Sequence, residues 1–217
     1  MSPTRTVASC GLVTDLLQRL LDSGADTRLI VCGTRTEFLV QLTAAIRSQR
    51  AESNAAPRHD LLTKTIGLLA NSSKTKLVFC PSLESLRAYL AVLRPQDEAI
   101  SEAERKHRQY QLVILDMVAL HRSTTEFSAQ GLSRTLAAAI EAGWRTDMDL
   151  TLYECTNAVS PTSSEWGDRL WDTQIPLLNG SVRIRGETGA WGGRGVSVRQ
   201  VAQRWFDFNH RVEGRAM

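Results

Sequence analysis

Four short runs, LIVC (29–32), LVFC (77–80), LVILD (112–116) and LTLYEC (150–155), are apolar on nearly every consecutive residue. Between them the apolar residues recur at helical spacing instead. A strand that is apolar on both faces of its pleat has to be covered on both, which calls for a mostly parallel sheet between helix layers. Few other features of the sequence restrict the fold class so far.

The helical segments read as follows. GLVTDLLQRLLDSG carries one stripe (Leu12, Leu16, Leu17, Leu20, Leu21), with Gly24 as its C-cap. TEFLVQLTAAIRSQR, DLLTKTIGLLA (capped by Asp60), SLESLRAYLAVL and GLSRTLAAAIEAG follow, each in the wake of a strand or loop. Residues 51–58 have loop composition, and residues 95–109, crowded with both signs of charge, read as a solvated surface excursion. Residues 116–129 read as loop. From Pro176 to Phe208 no good helix is expected. GSVRIRGE and GVSVRQVAQRWFDF alternate like antiparallel strands about the turn GAWGGRG, so the α/β sheet is expected to end in a β-rich antiparallel section, with 211–217 as a tail. At 217 residues the whole chain suits a single domain.

A net charge of +3 does not demand nucleic acid, although it permits a local basic patch. The four cysteines (Cys10, Cys32, Cys80, Cys155) form no CxxC pair, have no histidine at ligand spacing and read as buried thiols in a reducing compartment. The four histidines (His59, His107, His121, His210) read as loop or tail residues with no nucleophile at informative spacing. No metal and no cofactor is therefore expected. The first residues lack an apolar signal core, and no apolar run approaches the ~18 residues of a membrane span, so an intracellular, soluble protein is expected.

Asp116, at the end of an apolar strand, raises the question of a metal-holding carboxylate in a nucleotide hydrolase. Such an enzyme needs a glycine-rich strand-to-helix loop that presents backbone N–H groups and a lysine to the phosphates. The junction taken as equivalent, VCGTRTEFLVQL, has one glycine (Gly33), no Gly-Lys-Ser/Thr, and Glu37 in the first helical turn, where it would repel a triphosphate. Hydrolysis is not expected. Asp116 is expected to serve structure, accepting hydrogen bonds from its neighbouring turn.

YQLVILDMVALHRSTTEFSAQGLSRTLAAAIEAG resembles the second half of RecA-type recombinase cores and their paralogues. The resemblance rests on the strand ending in Asp116 (a degenerate Walker B-like position), then Arg122, Phe127, Ser128 and Gly131, and on Thr156-Asn157 after the next strand. It covers residues 108–210 as ordered landmarks. It implies a RecA-like pseudo-ATPase of the Shu-complex kind: a non-catalytic subunit of a heteromeric recombination or DNA-repair complex in the nucleus. Its partners would be other recombinase paralogues, together with single-stranded or branched DNA. The alternative is an Elongator-type accessory subunit acting on tRNA, which would place it in the cytoplasm.

The loop that contacts DNA in active relatives corresponds to AVSPTSSEWGDR, which holds two acids against one arginine. Residues 181–217 instead carry seven arginines against three acids. Arg183, Arg185, Arg194 and Arg199 on the expected hairpin, with Trp191 in its turn, are therefore the candidate nucleic-acid or partner-binding residues.

Overall fold

Alternation sorts the central strand onto two helix layers. In β4 (Tyr110–Leu115), Leu112 and Ile114 enter one hydrophobic cluster, and Val113 and Leu115 enter a second on the opposite face. The computed structural model describes residues 3–52, 59–95, 109–163, 165–179 and 195–209. Before β4 come β1 (Arg5–Ala8), α1 (Val13–Ser23), β2 (Asp26–Val31), α2 (Arg35–Glu52), a 3-10 turn (Asp60–Leu62), α3 (Ile66–Ser72), β3 (Thr75–Phe79) and α4 (Leu83–Val92). After it come α5 (Met117–Arg122), α6 (Ala129–Thr146), β5 (Asp149–Tyr153), a 3-10 turn (Asp168–Asp172), β6 (Gln174–Ile175), β7 (Val196–Ser197), α7 (Val198–Ala202) and β8 (Asp207–Asn209).

Six strands form one parallel sheet in the order β3-β2-β4-β5-β1-β8, and β6 and β7 make a separate antiparallel pair. The α/β class with a small antiparallel section towards the C-terminus is thus as expected, and the arrangement is consistent with a RecA-like core. One cluster joins Leu86 and Leu90 of α4, Leu132, Leu136 and Ala139 of α6, and Val198 and Val201 of α7 with the sheet and Trp171. The other joins Leu16 and Leu20 of α1 with Phe38 and Ala45 of α2.

Local chemistry accounts for most of the boundaries. Gly24, at φ 62°, ends α1 as expected. Thr34 and Glu37 close a capping box at the start of α2: the Glu37 N–H donates to Thr34 Oγ1 (3.2 Å), and the Thr34 N–H to Glu37 Oε2 (2.8 Å). Ser128 caps α6 by accepting from the Gly131 N–H at 3.1 Å.

Several expectations change. The segment DLLTKTIGLLA is not one helix. The His59 ring, rather than Asp60, accepts from the Leu61 N–H (3.2 Å), and Thr65 caps the separate α3 through the Leu68 N–H (3.1 Å). Residues 117–122 form α5 where loop was expected. Strand β1 went unread because it is four residues long and only Val7 of it is buried. The end of the chain differs most. Ser197 and Gln200 form a capping box that nucleates α7, so 198–202 is helical despite its alternating apolar pattern, and β8 pairs parallel to β1 rather than antiparallel. The expected hairpin strand at 181–187, the excursion at 96–108 and the tail at 211–217 lie outside the described residues.

Candidate functional site

In an open parallel sheet, ligands collect where neighbouring strands send their following segments to opposite faces. β2 leads to α2 on one face and β4 leads to α6 on the other, and beyond their carboxyl ends opens a cleft of about 560 Å³. Its floor is Val31 and Cys32 after β2, Leu115 and Asp116 after β4, and Cys155 after β5. Phe38, Leu120, Val13, Pro81 and Trp166 form apolar walls, while Thr34, Glu37, Arg122, Asn157 and Glu165 bring polar groups to it.

Asp116 sits at the centre of this floor with its backbone in the left-handed region, at φ 60° and ψ 36°. Its N–H donates to the Tyr153 carbonyl (2.8 Å), and its Oδ1 accepts from the Cys155 N–H (2.9 Å). The expected structural role is therefore filled, but by the strand beside it rather than by the neighbouring turn. Oδ2 has no hydrogen-bond partner among the described residues. Burial pushes the Asp116 carboxyl up to about 7, against the opposing pull of the Cys155 N–H.

Directly beneath lies Glu154, which sequence reasoning missed. Only 1% of it is exposed, and its carboxylate accepts from the Val118 N–H (2.6 Å) and the Ala119 N–H (3.2 Å), capping α5 from the adjacent strand. Burial, and then the charge of Asp116, drive its carboxyl well above the ordinary range. Its one sequence signal was a carboxylate on an otherwise apolar strand, LTLYEC, where an unpaired charge is costly.

All four cysteines are free and buried, as expected. Burial raises Cys32 well above the usual thiol range, with Glu154 and Asp116 adding to the effect. Contact with the Cys10 thiol, and then burial, do the same to Cys155. These are not activated nucleophiles. Among the described residues no group of three or more His, Cys, Asp or Glu is placed to hold a metal ion. His121 is not a loop residue. It is fully buried in α5, its Nε2 lies 2.9 Å from Thr135 Oγ1, and burial lowers it to about 4.

The first strand-to-helix junction is the one after β1, residues 9–12, and not the Cys32–Thr36 turn taken as its equivalent. Its sequence, SCGLVT across residues 9–14, also has a single glycine and no lysine.

The basic hairpin fares differently. Arg183, Arg185, Trp191 and Arg194 lie outside the described residues. Arg199 is in α7, not on a strand. Its Nε donates to Asp172 Oδ1 (2.7 Å), and its guanidinium lies 4.8 Å from the centre of the Phe208 ring, so it braces the fold. Of the C-terminal tryptophans, Trp171 is core, Trp205 packs against the core from a turn, and Trp166 lines the cleft.

No curated protein matches this chain. Among solved structures it is similar to a DnaB-like replicative helicase, whose structure was described with its interactions with primase, at 11% identity and a TM-score of 0.34. That likeness covers 70% of this chain and 39% of the helicase chain, so the present chain spans well under half of that protein. Residues 4–215 match the family described as SPAC22G7.03-like. The match takes in the whole sheet, both helix layers and the cleft, and the chain belongs to the SPAC22G7.03-like family.

Proposed function

We propose that this protein is a non-catalytic RecA-like subunit of a heteromeric recombination or DNA-repair complex, acting through protein contacts and weak DNA binding. The observation that carries the reading is Asp116. Read through the resemblance as the degenerate counterpart of the carboxylate in a RecA-like nucleotide site, it has its charge disfavoured by burial and one of its oxygens committed to the Cys155 N–H. Around it are Glu37 and Glu165 and one arginine, with no lysine at either strand-to-helix junction. A triphosphate would meet repulsion where it needs donors.

Support for protein contacts comes from apolar side chains left in solvent. Leu39 and Val40 of α2, Ile66 and Leu69 of α3, and Leu77 of the edge strand β3 are 42–88% exposed. DNA binding, if present, falls to Arg183, Arg185, Arg194 and Trp191, because Arg199 is already engaged.

The decisive experiment is affinity purification of the tagged protein from cells that express it natively, with partners identified by mass spectrometry. Recombinase paralogues are expected. Recovery of Elongator components with tRNA would replace this reading with the tRNA-modification one, and recovery of the chain alone would end the heteromeric reading. ATP turnover by the purified protein, abolished by Asp116→Asn, would overturn the non-catalytic assignment.

A further inference from the structure

The cleft has the wrong electrostatics for a phosphate and the right ones for a cation. Three carboxylate residues (Glu37, Asp116, Glu165) line it against one guanidinium, Arg122. Arg122 only leans towards Glu165, at 3.6 Å, and Glu165 remains 63% exposed, so neither neutralises the floor. Glu37 holds its charge readily because the Thr34 N–H and hydroxyl donate to it. Asp116, whose charge is disfavoured until a cation neighbours it, adds an oxygen with no partner among the described residues, at the bottom of a cleft whose walls include Phe38 and Trp166.

Carboxylates beneath aromatic faces are the usual means of holding an organic cation: the ring supplies a negative face and the carboxylate supplies the charge. The remaining walls, Val13, Pro81 and Leu120, give an aliphatic stem somewhere dry to lie. A planar guanidinium suits this better than an ammonium, since it stacks flat on an indole while presenting parallel N–H groups to a carboxylate.

We propose that the cleft receives an arginine side chain from a partner protein, with Asp116 as its carboxylate partner at the floor and Trp166 stacked on the guanidinium. The cleft then serves as a socket in the position where a nucleotide would lie. The proposal rests on the non-catalytic subunit reading and gives that reading its point of attachment.

The test is calorimetric and NMR titration of the full chain with N-acetyl-arginine amide, an arginine blocked at both ends. N-acetyl-lysine amide, agmatine and Mg-ATP serve as comparisons. Weak saturable binding of the blocked arginine is expected, tighter than the blocked lysine and with indole shifts at Trp166. Asp116→Asn keeps the acceptor for the Cys155 N–H and should weaken binding by about tenfold or more, as loss of a charged hydrogen-bond partner does. Glu165→Gln, at the exposed rim, should weaken it by about two- to fivefold and serves if the Asp116 variant folds poorly. No binding of the blocked arginine, or binding indifferent to both substitutions, overturns the socket. Binding of agmatine alone overturns a side-chain occupant. If the chain enters a complex while the arginine probe fails, the socket falls and the subunit reading stands. If the probe binds but no complex exists, the subunit reading falls. Mg-ATP binding in this cleft defeats both.

Discussion

Asp116 joins a left-handed backbone, a bond to Cys155 and a carboxyl whose charge is disfavoured in one half-buried residue. Asparagine tolerates the same backbone and keeps the acceptor, so Asp116→Asn isolates the charge. A carboxyl raised from its usual value to about 7 favours the folded state at low pH, and that contribution is lost as pH rises from about 4 through 7. Glu154 is shifted in the same direction. His121, lowered to about 4, works the other way: its stabilisation is lost as pH falls from about 6.5 to 4. Above pH ~6.5 the carboxyls act alone. Urea denaturation of wild type and Asp116→Asn should therefore show the wild type losing stability relative to the variant as pH rises from about 4 through 7, with the difference level above that, because His121 is common to both and cancels. An unchanged slope in the variant would contradict the buried-charge account. Asp116→Ala also strands the Cys155 N–H and should cost about 1–3 kcal/mol at neutral pH. Gly131 is a sharper case. A Cβ there would collide with the Glu126 backbone carbonyl oxygen, so Gly131→Ala should destabilise by about 3 kcal/mol or more in the same assay.

Helix α6 shows how elements are tied together. Arg87 of α4 reaches Glu126 with two hydrogen bonds, of 3.1 and 2.7 Å, and places its Nε 3.1 Å from Thr135 Oγ1, the hydroxyl that also meets His121. Lysine cannot make that fork, so Arg87→Lys should cost about 1–2 kcal/mol by chemical denaturation even though the charge is kept. Ser128 caps the same helix and also donates to Asn179, and Ser128→Ala should lower stability by about 1 kcal/mol or somewhat more. Ser128 and Gly131 were found as landmarks of the resemblance alone, and their work as a cap and as a close approach emerges only from the structure. The helix α5 was not legible. Its cap comes from Glu154, distant in sequence, and nothing within residues 117–122 announces it. Residues 198–202 misled for the opposite reason: apolar alternation suggested a strand, while the Ser197–Gln200 pair, the true local signal, was passed over.

At the scale of the whole molecule, the class of fold was written in the four apolar runs, because covering both faces of such strands leaves few alternatives. The cleft was only half legible. Asp116 could be found from its strand, but Glu37, Arg122 and Trp166 converge on it only through the order in which the strands lie side by side. That order also revises the DNA expectation. With Arg199 paired to Asp172, three arginines remain, and log affinity for single-stranded DNA should fall against log salt with a slope of about −2 to −3. A flat salt response would remove DNA from the reading. Another consequence follows from where β1 lies. Its two neighbours are β5, at a constant offset seen in Thr6 opposite Thr151, and β8, where Thr6 faces Asp207. During synthesis β1 must therefore wait for partners that lie far along the chain from it, with both of its edges open in the meantime. A chain released at Met148 should show no cooperative unfolding transition and should aggregate, whereas one that includes β5 should begin to protect the β4 amides from exchange. Newly made chains would then depend on chaperone shelter until β5 and β8 have been made, a cost of the topology itself.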